Sequence, residues 1–147
     1  MAGLPPTRAS RTVGGVTKAV QDLMIAVERV HDALHAAIRA GAPVAHLLAQ
    51  DATFDVLPAG VGATGADEVE RFVAEQVVVP GDLTVRRTSR TGDRFRVVDE
   101  EVFAFTHDRE LAWLHPGPPT GKPTELVVVT LTAVKRGQVT RSRMIVA

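Results

Sequence analysis

The order of patterns along this chain predicts an α+β domain, with helices first and a strongly curved antiparallel sheet after them. Three observations carry the prediction. Apolar residues recur at steps of four and three over residues 16–40, the period of one helix face. Beyond Pro80-Gly81-Asp82 alternation at period two takes over. The breaks between these later runs are short, which suits consecutive antiparallel strands. The 147 residues fit one domain with one core, burying roughly 68–70% of the unfolded surface.

Residues 1–15 carry Pro5-Pro6, Gly14 and scattered Arg, and read as a flexible arm ahead of a domain at 16–147. From there Val16, Val20, Leu23, Val27, Val30, Leu34 and Ala37 form one helical stripe, ended by Gly41. Pro43 suits the first turn of a short helix over 44–49. Asp51–Leu57 alternates and holds β-branched and aromatic residues, as a strand does. The Gly60, Gly62 and Gly65 region reads as a loop. Thr64-Gly-Ala-Asp67 resembles a capping box, with Val69, Phe72 and Val73 as the apolar face of a helix ending near Gln76. Five strands then follow: Leu83–Arg90, Phe95–Thr106, Leu111–His115, Thr124–Val134 and Gln138–Val146.

Composition narrows the function classes. Seventeen basic residues balance seventeen acidic ones, so no global field holds nucleic acid or an anionic membrane. Arg86, Arg87, Arg90, Arg94 and Arg96 cluster on one hairpin, read as a solvated sheet edge. The absence of cysteine removes disulfides and thiolate chemistry and points to a reducing cytoplasm. The absence of tyrosine removes any phenol proton donor. No run approaches a membrane span, and the N-terminal residues lack the apolar run of a signal peptide.

The centre of the reading is Phe95–Phe105. At period two it sends Phe95, Val97, Asp99, Glu101, Phe103 and Phe105 to one face, charged at one end and apolar at the other. Glu101 stands at the changeover. If that face is covered, burial raises the carboxyl pKa and makes Glu101 a candidate general acid or base. Phe54, Val56, Phe103, Phe105, Trp113 and Met144 are the expected walls, with Phe72 beside them. The alternative is a Glu101 that points outward or pairs with Arg87 or Arg143. Asp99 and Glu100 are placed nearer the wet end.

His107 and His115 flank the hairpin containing Trp113 and are candidate proton shuttles at the pocket mouth, with a plain polar turn as the other reading of His107. His31 and His35 lie one helical turn apart, like two zinc ligands. Because Val30 and Leu34 take the expected stripe, His35 is assigned to the opposite side and no metal site is expected. Gly117–Thr124 is one residue short of a phosphate loop, and its prolines offer no N–H, so it reads as a crossover or lid.

The element order resembles the nuclear transport factor 2-like superfamily, in particular its SnoaL-like members. Carrying the resemblance are Leu48-Ala-Gln-Asp51-Ala-Thr-Phe-Asp55, Gly62-Ala-Thr-Gly65-Ala-Asp-Glu-Val-Glu-Arg-Phe72 and Lys135-Arg-Gly137-Gln-Val-Thr-Arg-Ser-Arg143. The resemblance implies a cone-shaped fold that encloses a pocket between helices and concave sheet and dimerises through the sheet. It also implies small hydrophobic ligands and acid/base chemistry of the cyclase, isomerase or dehydratase type, with no cofactor. Val56 after Asp55 and the missing tyrosine speak against a ketosteroid isomerase; Phe54, Val56 and Met144 stand where epoxide hydrolases carry polar groups. A non-catalytic ligand-binding or protein-interaction module of the same fold is the alternative.

Overall fold

The computed structural model describes residues 12–13 and 16–147. Most of the expected arm lies outside these residues; within it, β1 (Thr12–Val13) pairs with β2 (Val16–Thr17). Helix α1 (Lys18–Ala40) starts at Thr17, whose hydroxyl accepts a hydrogen bond from the Val20 N–H at 3.3 Å. It stops at Gly41, which takes the left-handed conformation (φ 67°) that a side chain would strain. The buried face is Val27, His31, Leu34, His35 and Ile38. The expected stripe is therefore rotated: His35 lies inside, and Leu23, expected inside, is 51% exposed. His31 enters the buried face because the sheet beneath it is polar, as described below.

The short helix expected at 44–49 shrinks to a 3-10 turn at Ala45–Leu47. Glu70 caps that turn, its Oε1 accepting from the Val44 and Ala45 N–H groups at 2.9 and 3.0 Å. Strand β3 (Leu48–Leu57) has begun by then, because Leu48 already pairs with Val139. The glycine-rich segment contains a further strand, β4 (Val61–Thr64), antiparallel to β3. Gly62 is required there, since a Cβ would collide with the Phe54 carbonyl oxygen. In α2 (Ala66–Gln76) Gly65 occupies the N-cap position with no side-chain cap, so the expected capping box is not formed; Asp67 and Glu68 face the positive end of the helix dipole instead.

Strands β5 (Thr84–Gly92), β6 (Arg96–Thr106), β7 (Pro123–Lys135) and β8 (Gln138–Val146) form the expected antiparallel meander. The six-stranded sheet runs β4-β3-β8-β7-β6-β5 and is mixed, because β3 joins β8 in parallel. The whole meander serves as the long connection that a parallel pair requires. Leu111–His115 is not a strand. It is a turn closed by N–H groups of Leu114 and His115 on the Leu111 carbonyl, since β6 already has a neighbour on each side. Two helices thus pack on one mixed sheet, an α+β architecture over a core that includes Leu34, Phe54, Val69, Phe103, Trp113 and Met144. No described helix is long and apolar enough to cross a membrane.

Candidate functional site

Strand alternation sends Val97, Asp99, Glu101, Phe103 and Phe105 of β6 inward, and all five are buried. The expected wet end is therefore covered, and Asp99 is only 2% exposed. Across the ladder Asp99 faces Thr130 and Val97 faces Thr132, while Thr132 faces Ser142 on β8. All three hydroxyl-bearing residues are buried, which gives the sheet a polar inner layer. Helix α1 closes over it, and this layer is what His31 meets.

A β-bulge between Arg87 and Ser89 decides what the edge strand contributes. Residues three apart on a regular strand point to opposite faces. The extra residue puts Arg87 opposite Glu101 and Arg90 opposite Asp99, so both guanidiniums serve the inner face. Arg90 holds Asp99 through a fork, Nε to Oδ1 at 2.7 Å and a terminal nitrogen to Oδ2 at 2.8 Å. It also bridges to Asp32 at 2.6 Å and Glu28 at 3.1 Å on α1. His31 completes the set, with Nε2 at 2.9 Å from Asp99 Oδ2 and Nδ1 at 2.6 Å from Thr132 Oγ1.

Donor and acceptor needs fix the tautomer. An ionised carboxylate only accepts, so Nε2 carries the proton and Nδ1 accepts from the Thr132 hydroxyl. Burial alone would raise the Asp99 carboxyl, but hydrogen bonds from Arg90 and His31 outweigh it and hold Asp99 below the ordinary range. Burial lowers His31 further than Asp99 raises it. The His31–Asp99 contact is accordingly a hydrogen bond from a neutral imidazole, not an ion pair. Asp99, Arg90 and both nitrogens of His31 are thus engaged. Ligand atoms of His31, Asp32 and Asp99 fall within 4.8 Å of one another, but Arg90 already supplies the positive charge that a cation would bring.

Two neighbours are not engaged. Glu101, 7% exposed, forms no side-chain hydrogen bond or ion pair among the described residues. Burial pushes its carboxyl up, and nearby Asp99 adds to the shift against opposition from Arg39, Arg90 and Arg87. His35 packs against His31 with ring centres 4.6 Å apart and the planes tilted by 58°, and its buried Nε2 has no partner. Burial, with His31 and Arg39 adding to it, lowers the His35 pKa to about 3. Both residues line an open cleft of about 330 Å³ between α1 and the β5–β6 hairpin, whose walls include His31, Arg39, Arg87 and Arg90.

The cleft beside Glu101 is therefore polar, where an apolar chamber was expected. Phe54, Val56, Phe103, Phe105, Trp113 and Met144 are fully packed in the core, and Phe72 packs against Phe54 with ring centres 5.9 Å apart. Trp113 is fixed by its Nε1–H, which donates to the Val78 carbonyl at 2.8 Å. Arg143 pairs with Asp55 at 2.8 Å, not with Glu101. His107 and His115 contact each other at 4.4 Å, but His107 follows Glu101 by six residues, about 20 Å along an extended strand. The 117–124 loop closes over this far end, where Thr120 and Gly121 N–H groups donate to the His107 carbonyl. The sequence reading weighs His31 and His35 only as metal ligands and Arg90 only as part of a solvated edge, and does not single out Arg39. The spacing of the two histidines was the available signal; the bulge that turns Arg90 inward leaves none.

No family model matches this chain, and no curated protein matches it in sequence. Solved structures do. A protein of Jannaschia sp. CCS1 described as a SnoaL-like polyketide cyclase aligns with TM-score 0.67 at 15% identity, covering 84% of this chain and 87% of the other. An NTF2-like protein of unknown function from Cytophaga hutchinsonii aligns with TM-score 0.62 at 9% identity, over 82% and 99% of the two chains. A protein of M. tuberculosis described as an LEH-like epoxide hydrolase aligns with TM-score 0.56 at 15% identity, over 88% and 85%. The nuclear transport factor 2-like fold implied by the sequence resemblance is the fold of this chain.

Proposed function

We propose that this chain binds a small molecule in the cleft beside Glu101 and moves a proton on it without a cofactor. The observation that supports the reading is the division of labour in the polar cluster: Asp99, Arg90 and His31 hold one another, and the buried Glu101 is left free with its pKa raised. A carboxyl whose pKa is raised by burial and which opens to a cleft is suited to take up and return a proton. Cyclisation, isomerisation and dehydration next to a carbonyl share that step. His107 and His115 lie too far along the sheet to act on the same ligand atom, so Glu101 carries the proposal without them. Similar structures include ones described as a polyketide cyclase and an epoxide hydrolase-like enzyme, in keeping with small-molecule chemistry on this fold.

The test is solvent deuterium incorporation next to the carbonyl of apolar ketones and keto acids. Wild-type protein exchanges faster than buffer, and Glu101→Gln lowers the rate by about 10²–10⁴. An exchange rate unchanged by the substitution removes the catalytic reading. It would leave the non-catalytic module, which the closed packing of the aromatic side chains favours.

The chain is also proposed to pair with a second copy through the uncovered face of the sheet. Val127 and Ile145 are 42% and 37% exposed there, and Val102 and Val129 stand opposite them in the ladders. Such a patch is typical of an interface. Sedimentation equilibrium should give twice the chain mass at micromolar concentration, and Val127→Glu should return the monomer; a wild-type monomer at high concentration rejects the pairing.

A further inference from the structure

Three arginines border the cleft, and they are not equivalent. Arg90 is consumed by Asp99, Asp32 and Glu28. Arg39 and Arg87 form no ion pair among the described residues, and both are exposed. They approach from two sides, Arg39 from the last turn of α1 and Arg87 from the edge strand, where regular pairing sets it opposite Glu101. With Glu101 ionised these three groups sum to one positive charge, which one carboxylate cancels. A guanidinium fork matches the two oxygens of a carboxylate.

Arg39 also borders a second opening, a groove of about 600 Å³ between the end of α1 and α2. Its walls are mainly apolar, among them Ile38, Val44, Val73, Val77 and Val78. Arg39 thus borders both openings. His35 adds a second sign of a ligand, a buried ring nitrogen with no partner in a wall of the polar cleft. Orphaned buried polar atoms are uncommon in folded proteins and ask for a partner.

Resting on the reading of the cleft as a ligand site, we propose that its ligand is an apolar molecule ending in a carboxylate. The carboxylate sits between Arg39 and Arg87, and the apolar body lies in the groove along Ile38, Val73 and Val77. Glu101 then faces the atoms next to the anchored end, and the His35 ring lies in the same wall. Arg39 and Arg87 are binding residues in this scheme, and neither takes part in proton transfer.

The experiment is a chemical-shift titration of ¹⁵N-labelled protein with octanoate, octanamide and acetate. Octanoate should move backbone resonances of Arg39, Arg87 and Val77 together and bind at least tenfold tighter than octanamide or acetate. The double variant Arg39→Gln/Arg87→Gln, both at exposed positions, should keep the dispersed spectrum and bind octanoate no better than octanamide. Equal binding of octanoate and octanamide overturns the anionic anchor while leaving a small-molecule cleft in place. Equal binding of octanoate and acetate overturns the apolar body. If octanoate moves none of these resonances the proposal fails outright, and the proton-transfer reading is still judged separately by the deuterium exchange of Glu101→Gln, which needs no carboxylate ligand.

Discussion

Asp99→Ala lowers the unfolding free energy by about 3–5 kcal/mol, the range found when one partner of a buried charged network is removed. The urea midpoint falls accordingly while the slope is kept. The size follows from what Asp99 holds. Its two oxygens accept both arms of the Arg90 fork and the Nε2–H of His31, and the carboxylate is 2% exposed. Alanine leaves a guanidinium without its main partner and a donor stranded under α1. Asp32 and Glu28 still hold Arg90, but both sit on the solvent side of the bridge, with side chains 58% and 40% exposed. Asp99→Asn keeps the shape and still fails, because each side of the carboxylate meets a donor and the amide NH₂ would oppose one of them. A loss below about 1 kcal/mol for Asp99→Ala would mean that the cluster contributes little to the clamping of α1 on the sheet.

The same cluster shows where the sequence is readable. Strand β6 is legible because its alternation is unbroken from Val97 to Phe105, and the register that follows puts Glu101 inside, the first of the two placements its sequence allows. The end of α1 is legible because Gly41 supplies the one backbone conformation that stops a helix this way. The inner face of α1 is not, since ranking residues by hydrophobicity excludes His31 and His35 from a buried stripe. Only the partners on the sheet, Asp99 and Thr132, make burial of His31 favourable, and they lie 68 and 101 residues away in sequence. The bulge at Thr88 is invisible for a related reason. Arg86-Arg87-Thr88-Ser89-Arg90 offers no glycine or proline to mark it, and one inserted residue exchanges the faces of everything beyond. An exposed arginine edge and an apolar chamber are what remain when both features are missed. The aromatic residues were correctly placed inside, but they fill the core and leave the opening to polar groups.

Acid should destabilise this fold chiefly through His35. Its folded pKa of about 3 lies below the ordinary 6.5, so between these values the unfolded chain binds a proton that the folded chain refuses. The contribution is fully present above pH 6.5 and is lost progressively as the pH falls toward 3. One proton corresponds to about 1.4 kcal/mol per pH unit, so the loss by pH 4 is on the order of 3 kcal/mol. The groups around His35 set the background. On α1, His31 is also held below its ordinary value and Arg39 repels a second cation; on β5, Arg90 does the same. On β6, Asp99 is lowered and so weakens the fold in acid as well, whereas Glu101 is raised and acts in the opposite sense. Wild-type curves therefore mix several groups, and the difference from His35→Leu isolates one. That variant removes a buried imidazole that has no hydrogen bond at Nε2, and its stability should fall less steeply than wild type between pH 6.5 and 4, by up to one proton's slope. Urea unfolding at half-unit pH steps measures both curves. Parallel curves would show that His35 is protonated in the folded state, which would require an acceptor for its second N–H and would remove it from the free groups of the cleft.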